Sequence, residues 1–302
     1  MGSGIAAVAL HAGNQVAVVE PSKAAGDGLA ERIGAVTREL LENEMITEDQ
    51  AKNAENFRLY KSLEDYSDRP DLVIEAISEI VEEKQRLFAL LDERFDENIP
   101  LASNTSGLRI TDIAKDMAHK ERAMTTHFWF PAHLVPLVEV VMSEWTRKEL
   151  AKKVYQMLKG WGKAPVLVKK DLPGQLANRI FQAVIREAIS IVENGIAEPE
   201  DVDTAVKMGM GMRFPVWGPL EHVDAVGLKL CQSVQDNVLP SISDSKQAAD
   251  IFREKLEKGD GGYQSQRGFY DWNEKSMDKL QQLRNQFIMQ SVKFLRGKGL
   301  NG

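Results

Sequence analysis

Apolar residues along the first half of the chain follow two rhythms, short unbroken runs and spaced helical faces. Their alternation predicts strands interleaved with helices. The opening Gly2-Ser3-Gly4-Ile5-Ala6-Ala7-Val8-Ala9-Leu10 predicts a helix broken at Gly13-Asn14, then a strand over Gln15–Val19 ending in Glu20 and stopped by Pro21. Residues 23–54 predict helix in two pieces: Ile33, Val36, Leu40 and Leu41 share one face, and Thr47-Glu48-Asp49-Gln50 is a capped restart. A strand over Leu72–Ile77 and a charged helix over Glu79–Phe95 follow, with Ile80, Leu87, Leu90 and Leu91 on its buried side. After a further helix to Gly160 and a strand over Pro165–Lys169, strand signals stop at Asp171-Leu172-Pro173-Gly174. Helices alone are expected beyond it, over 175–193, 198–208, 219–238, 246–257 and 277–295. The pattern predicts an α/β fold: a doubly wound, Rossmann-like parallel sheet domain over residues 1–170 and an all-helical domain over 171–302.

Between Ile99 and Met142 lie three apolar runs with chemistry at their ends. Leu101-Ala102 leads to Ser103-Asn104-Thr105-Ser106, Ala123–Thr126 leads to His127-Phe128, and Leu137-Val138-Glu139-Val140-Val141 carries a lone carboxylate. A Glu among valines must be paired, because a buried carboxylate without a partner would neutralise. His127 is its nearest titratable partner upstream, and a carboxylate behind an imidazole fixes the tautomer a general base needs. Ser106 and His127 both follow an apolar run, which puts them at the carboxyl edge of a parallel sheet, where ligands bind.

Composition narrows the classes. A net charge of -7 over 302 residues with mixed signs offers no basic stripe for nucleic acid, and no apolar run approaches a membrane span. The single cysteine, Cys231, cannot form an intrachain disulfide, which suits a reducing cytoplasm. Glycines opening a helix, followed about 20 residues on by an acid ending a strand, form the second half of a dinucleotide fingerprint. Gly2 would be its third glycine, the one for close helix-to-strand packing; the strand and glycines of the first half would lie before Met1.

Taken together, Ser103-Asn104-Thr105-Ser106, His127-Phe128 with Pro131, Pro136-Leu137-Val138-Glu139-Val140, Asn178-Arg179, Gly218-Pro219-Leu220-Glu221 and Gly268-Phe269-Tyr270 resemble the NAD-dependent 3-hydroxyacyl-CoA dehydrogenases. That family also holds a lambda-crystallin and L-gulonate 3-dehydrogenase branch, which the run Met208-Gly209-Met210-Gly211-Met212-Arg213 resembles most. The resemblance implies a catalytic His127 and Glu139, a substrate-contacting Ser106 and Asn178, and a site in the cleft between the domains. It implies NAD as cofactor, with Glu20 on the ribose hydroxyls and Gly2, Glu79, Lys84, Ser106 and Phe130 around the dinucleotide. The implied reaction oxidises a 3-hydroxyacyl-CoA of 3-hydroxybutyryl type in a homodimer. A free 3-hydroxy acid such as L-gulonate or a carnitine-like compound, and a non-catalytic crystallin-like protein, remain the alternatives.

The chain departs from the family in three places. The family's first strand is central, so its absence would leave backbone groups unpaired and the pyrophosphate uncradled. Phe130 stands where many members carry Asn, and Gly107 where acyl-CoA enzymes usually carry a second Ser. Arg213 could clamp a free substrate carboxylate or form a structural ion pair. His133 reads as a loop or surface residue, and His11, His119 and His222 lack partners at metal spacing, so no metal is assigned. The Met208–Met212 run reads as core filling or as a substrate wall, Gly259–Gly262 as a loop, and adjacent Glu82 and Glu83 share no helix face.

Overall fold

The computed structural model describes residues 1–300, which form two compact units, 1–177 and 178–300. Helices and strands alternate through the first unit: α1 (Gly2–His11), β1 (Val16–Val19), α2 (Lys23–Asp27), α3 (Leu29–Glu42), α4 (Glu48–Lys52), β2 (Phe57–Tyr60) and β3 (Val73–Glu75). The order continues through α5 (Val81–Arg94), β4 (Leu101–Ser103), α6 (Ile110–Ile113), β5 (Ala123–Phe128), β6 (Leu137–Met142), α7 (Lys148–Gly160) and β7 (Ala164–Val168).

Side chains alternate across the sheet, and the helices divide accordingly. Ala102, Met124, Phe128, Val138 and Val140 pack with Ile5 of α1 and Ala151, Val154 and Leu158 of α7. Leu101 and Ala123 point to the other face, onto Phe88 and Leu91 of α5 and Ile110 and Ile113 of α6. This places a helical layer on each face, as the pattern of runs predicts.

Two features depart from a single all-parallel sheet. β3, β4 and β5 are parallel, but β6 runs antiparallel to β5, with β7 parallel to β6. Eight residues join β5 to β6, too few for the helical crossover that a parallel pair needs. The second feature is that β1 pairs only with β2, in a separate two-stranded sheet. No described strand joins β1 to β3. β2 is only four residues, Phe-Arg-Leu-Tyr, too short an alternation to stand out, and sequence reading passed over it.

Gly2 is not the tight glycine expected. A Cβ there would meet only Ala76 at 3.9 Å, whereas one on buried Gly4 would press to 3.3 Å on the Ala132 Cβ. Gly4 is therefore what lets α1 approach the 131–136 loop.

The second unit is helical: α8 (Ala177–Glu193, whose first residue belongs to the first unit), α9 (Pro199–Ala205), α10 (Pro219–Val226), α11 (Leu228–Val238), α12 (Asp250–Glu257) and α13 (Met277–Gly297). The predicted 219–238 helix is two helices, because Gly227 adopts φ +100°, a value that breaks helical geometry and that L side chains rarely tolerate. The predicted 198–208 helix turns into a π-helical stretch at Val206–Met210. Met208 in that stretch and Met212 just after it are 73% and 58% exposed, so these side chains do not fill a core. Among the described residues no helix is long and apolar enough to cross a membrane.

Candidate active site

The register of β5 on β6 sets His127 directly opposite Glu139. Opposed residues on neighbouring strands project to one face with their Cβ atoms about 5 Å apart, so the backbone pairing alone brings imidazole and carboxylate together. A slip of one residue would send them to opposite faces. His127 Nδ1 donates to Glu139 Oε2 at 2.7 Å, with the carboxylate wholly buried. With Nδ1 as donor, Nε2 keeps its lone pair, the form a proton acceptor requires.

Glu139 has three further donors. The Trp129 indole Nε1 donates to the same Oε2 at 3.0 Å, and the amides of Leu176 and Ala177 donate to Oε1 at 2.8 and 2.9 Å. Burial alone would raise this carboxyl's pKa. The bonds from His127, the Ala177 amide, Trp129 and the Leu176 amide outweigh burial and hold it below the usual glutamate value. Glu139 is thus an anion at neutral pH, able to stabilise an imidazolium.

A second buried carboxylate, Glu75, ends β3. It accepts from Lys84 Nζ at 2.6 Å, Ser103 Oγ at 2.6 Å and the Ile77 amide at 2.7 Å. Lys84 also lies 3.4 Å from Glu79, whose Oε1 accepts from Thr105 Oγ1 at 2.6 Å, from the Ser106 and Gly107 amides at 3.0 and 3.2 Å, and from Ser106 Oγ at 3.4 Å. Desolvation opposes the charge on Glu79, but Thr105, Lys84 and the two amides lower its pKa overall. The chain of contacts from Glu75 through Lys84 and Glu79 ends on the loop that presents Ser106. Lys84, with its side chain 1% exposed, does not line the groove; it acts through Glu79. Sequence reading did not single out Glu75, although Val73-Ile74-Glu75-Ala76-Ile77 carries the same signal as Glu139, an acid inside an apolar run.

Both arrangements open on one groove of about 280 Å³ at the carboxyl ends of β3, β4 and β5. It is lined by Glu79, Asn104, Ser106, His127 and Phe130 beside Met1, Ala76, Ile77 and Phe128. Asn104 Oδ1 accepts the Phe128 amide at 2.9 Å and ties the end of β5 to the loop after β4. Phe130 is 68% exposed. The sequence-predicted Ser106, His127, Glu79 and Phe130 therefore meet at one edge, with Glu139 behind the imidazole.

The remaining candidates lie elsewhere. Glu20 directly follows β1, and its Oε1 accepts the Ser22 amide at 2.9 Å. Asn178, in the second unit, is the second residue of α8, and its Oδ1 faces Gln182 Nε2 at 3.4 Å. Arg213, in the same unit, is exposed just after the π-helical stretch. His133 is not a surface residue: its side chain is 12% exposed and its Nε2 lies 3.0 Å from Glu39. Burial there outweighs the pairing with Glu39 and lowers its pKa.

Comparison with known proteins gives the family. Residues 1–172 match the family described as 3-hydroxyacyl-CoA dehydrogenase, NAD binding domain, and residues 174–272 match its C-terminal domain. A probable 3-hydroxybutyryl-CoA dehydrogenase of Bacillus subtilis is 35% identical over 278 residues, 91% of this chain and 95% of that protein. A 5-formyl-3-hydroxy-2-methylpyridine 4-carboxylate 5-dehydrogenase of Mesorhizobium japonicum is 31% identical over 76% of this chain and 74% of its own length. The crystal structure of a dehydrogenase acting on that pyridine carboxylate, described as an NAD+ dependent dismutase, superposes with a TM-score of 0.90 at 28% identity, covering 98% and 96% of the two chains. An (S)-3-hydroxybutyryl-CoA dehydrogenase from Ralstonia eutropha superposes at 0.73, with 30% identity over 90% and 95%.

Proposed function

The chain belongs to the 3-hydroxyacyl-CoA dehydrogenase family, NAD-dependent oxidoreductases acting on CH–OH groups, and from that premise we propose that it oxidises the 3-hydroxyl of a 3-hydroxyacyl-CoA with His127 as general base. The observation that carries this reading is the His127–Glu139 pair at 2.7 Å, in a groove at the ligand-binding edge of the sheet. His127 Nε2 takes the proton of the substrate hydroxyl, and the buried Glu139 anion stabilises the imidazolium that forms. Ser106, anchored to Glu79 through its amide, turns its hydroxyl from Glu79 to the substrate oxygen as a neutral donor, and Asn178 has the same role by resemblance to the family. NAD, when bound, accepts the hydride that leaves the carbinol carbon. The residues here fit that cofactor: Glu20 suits the ribose hydroxyls and the groove beside His127 suits a nicotinamide-bearing end.

A second substrate reading has its own support. The pyridine-carboxylate dehydrogenase superposes over nearly the whole chain, at 0.90 against 0.73 for the hydroxybutyryl-CoA enzyme. A free carboxylate on a small ring or short acid is the kind of substrate Arg213 would clamp. Five substrates assayed side by side with NAD separate the two: 3-hydroxybutyryl-CoA, free 3-hydroxybutyrate, L-gulonate, carnitine and 5-formyl-3-hydroxy-2-methylpyridine 4-carboxylate. Turnover only of the thioester upholds the first reading, and turnover only of a free acid replaces it with the second. NADH titration followed by nicotinamide fluorescence tests the cofactor directly, and a flat titration would remove the dehydrogenase reading from this chain.

The protein also acts as a homodimer in this reading. Leu220, Leu228 and Leu256 of the second unit are 79%, 69% and 65% exposed, apolar side chains available to a partner subunit. Light scattering should give twice the chain mass.

A further inference from the structure

Trp129, the first residue after β5, takes part in the His127–Glu139 pair from outside the set of groove-lining residues. Its indole N–H shares Glu139 Oε2 with the imidazole, at 3.0 Å against 2.7 Å for His127, and its ring lies 5.8 Å from the imidazole with a 52° tilt. A carboxylate offers about four lone-pair sites, and here four donors occupy them: His127, Trp129 and the amides of Leu176 and Ala177. The two amides sit on Oε1. Trp129 therefore acts at the one oxygen whose charge the imidazole feels most strongly.

We propose that Trp129 is a positioning residue which fixes Glu139 Oε2 and draws off part of its charge, so that the carboxylate orients His127 without over-stabilising the imidazolium. The idea rests on His127 being the base. A donor that stabilises the glutamate anion reduces what the anion gains by facing a cation. Removing it frees the charge on Oε2 and favours the protonated imidazole, so the base stays protonated to higher pH. The groups facing the imidazole are few. β6 presents Glu139, the loop after β4 brings neutral Asn104 and Ser106 to the same groove, and Glu79 lines that groove, itself held by Lys84. Trp129→Phe changes none of these and keeps the ring.

The test is the pH profile of kcat/KM for Trp129→Phe, beside the parent and His127→Gln, with NAD and whichever of the five substrates turns over fastest. The acidic limb should move up by about half a pH unit, a fraction of the worth of one hydrogen bond to a carboxylate because His127 feels its loss only through Glu139, while the plateau falls less than tenfold. A purely structural role would lower the plateau and leave the limb in place, and superimposable limbs overturn the proposal. If His127→Gln is inactive while the Trp129→Phe limb is unmoved, only the role of Trp129 falls. If His127→Gln keeps near-normal turnover, the base is misassigned and both readings fall together. A measurement on the unaltered chain guards against a variant that does not fold. A protonated imidazole quenches a neighbouring indole, so emission should step with pH in the parent and lose that step in His127→Gln. Any step from Trp217 beside His222 is common to both proteins. Parent and His127→Gln emission curves of the same shape would overturn the coupling.

Discussion

Two buried carboxylates end up at the same edge of the sheet with opposite partners. Glu75 faces a permanent cation, Lys84, inside a pair whose two side chains are each 1% exposed. Glu139 faces a group that gains and loses a proton, and its other three donors are neutral. The first arrangement can only hold a shape: it fixes the loop carrying Ser106 through Glu79. The second can hold a shape in one protonation state and stabilise a charge in the other. A buried acid is therefore informative about chemistry only once its partner is known, and the partner is set by strand register and not by proximity in sequence.

The largest expected effect separates the two by activity. His127→Gln removes the proton acceptor and should lower kcat by a factor of about 100 to 10,000 with little change in NADH affinity, read by steady-state kinetics and fluorescence titration. Near-normal turnover would place the chemistry elsewhere. Glu139→Gln should act on the same quantity and to a lesser extent, because the imidazole stays but its tautomer is no longer enforced.

Lys84→Met separates them by stability. It strands Glu75 without its cation and should cost about 3–5 kcal/mol of unfolding free energy in denaturant titration. The double change Glu75→Gln with Lys84→Met removes both charges and should recover most of that loss, since a buried ion pair replaced as a unit is often neutral. If the single variant is as stable as the parent, the pair carries no structural weight and the comparison with Glu139 collapses.

Much of this edge was legible from sequence. An acid within Leu137–Val141 and a histidine closing an apolar run announced Glu139 and His127, because burial makes an unpaired carboxylate untenable. Glu75 carries the same signal, an acid inside the apolar run Val73–Ile77. Trp129 was not legible at all, since nothing in residue type or spacing says that an indole beyond the strand end folds back to Glu139. The amides of Leu176 and Ala177 were hidden for a related reason: backbone donors leave no trace in residue identity. In the second unit, apolar periodicity located the helices but missed the break at Gly227, where one positive φ splits the predicted 219–238 helix.

The smallest effect concerns acid stability, where the comparison sharpens to a difference in slope. Glu139, Glu79 and Asp92 all have folded-state pKa values below their ordinary ones; hydrogen bonds outweigh the burial that would raise each, helped by Lys84 at Glu79 and by Arg122 at Asp92. A lowered carboxyl pKa stabilises the fold at pH above the unfolded value, and that stability is lost as pH falls through the folded value. Melting temperature should thus be level above a pH of about 5 and decline below about 4. Glu139→Gln should make the decline shallower, because the variant no longer has a proton to take up there on unfolding. Lys84→Met should leave the contribution of Glu139 intact, since no described contact joins Lys84 to the dyad. A decline as steep in Glu139→Gln as in the parent would assign the acid response to Glu79 and to Asp92, the latter held by Arg122 and the amides of Ala118 and His119.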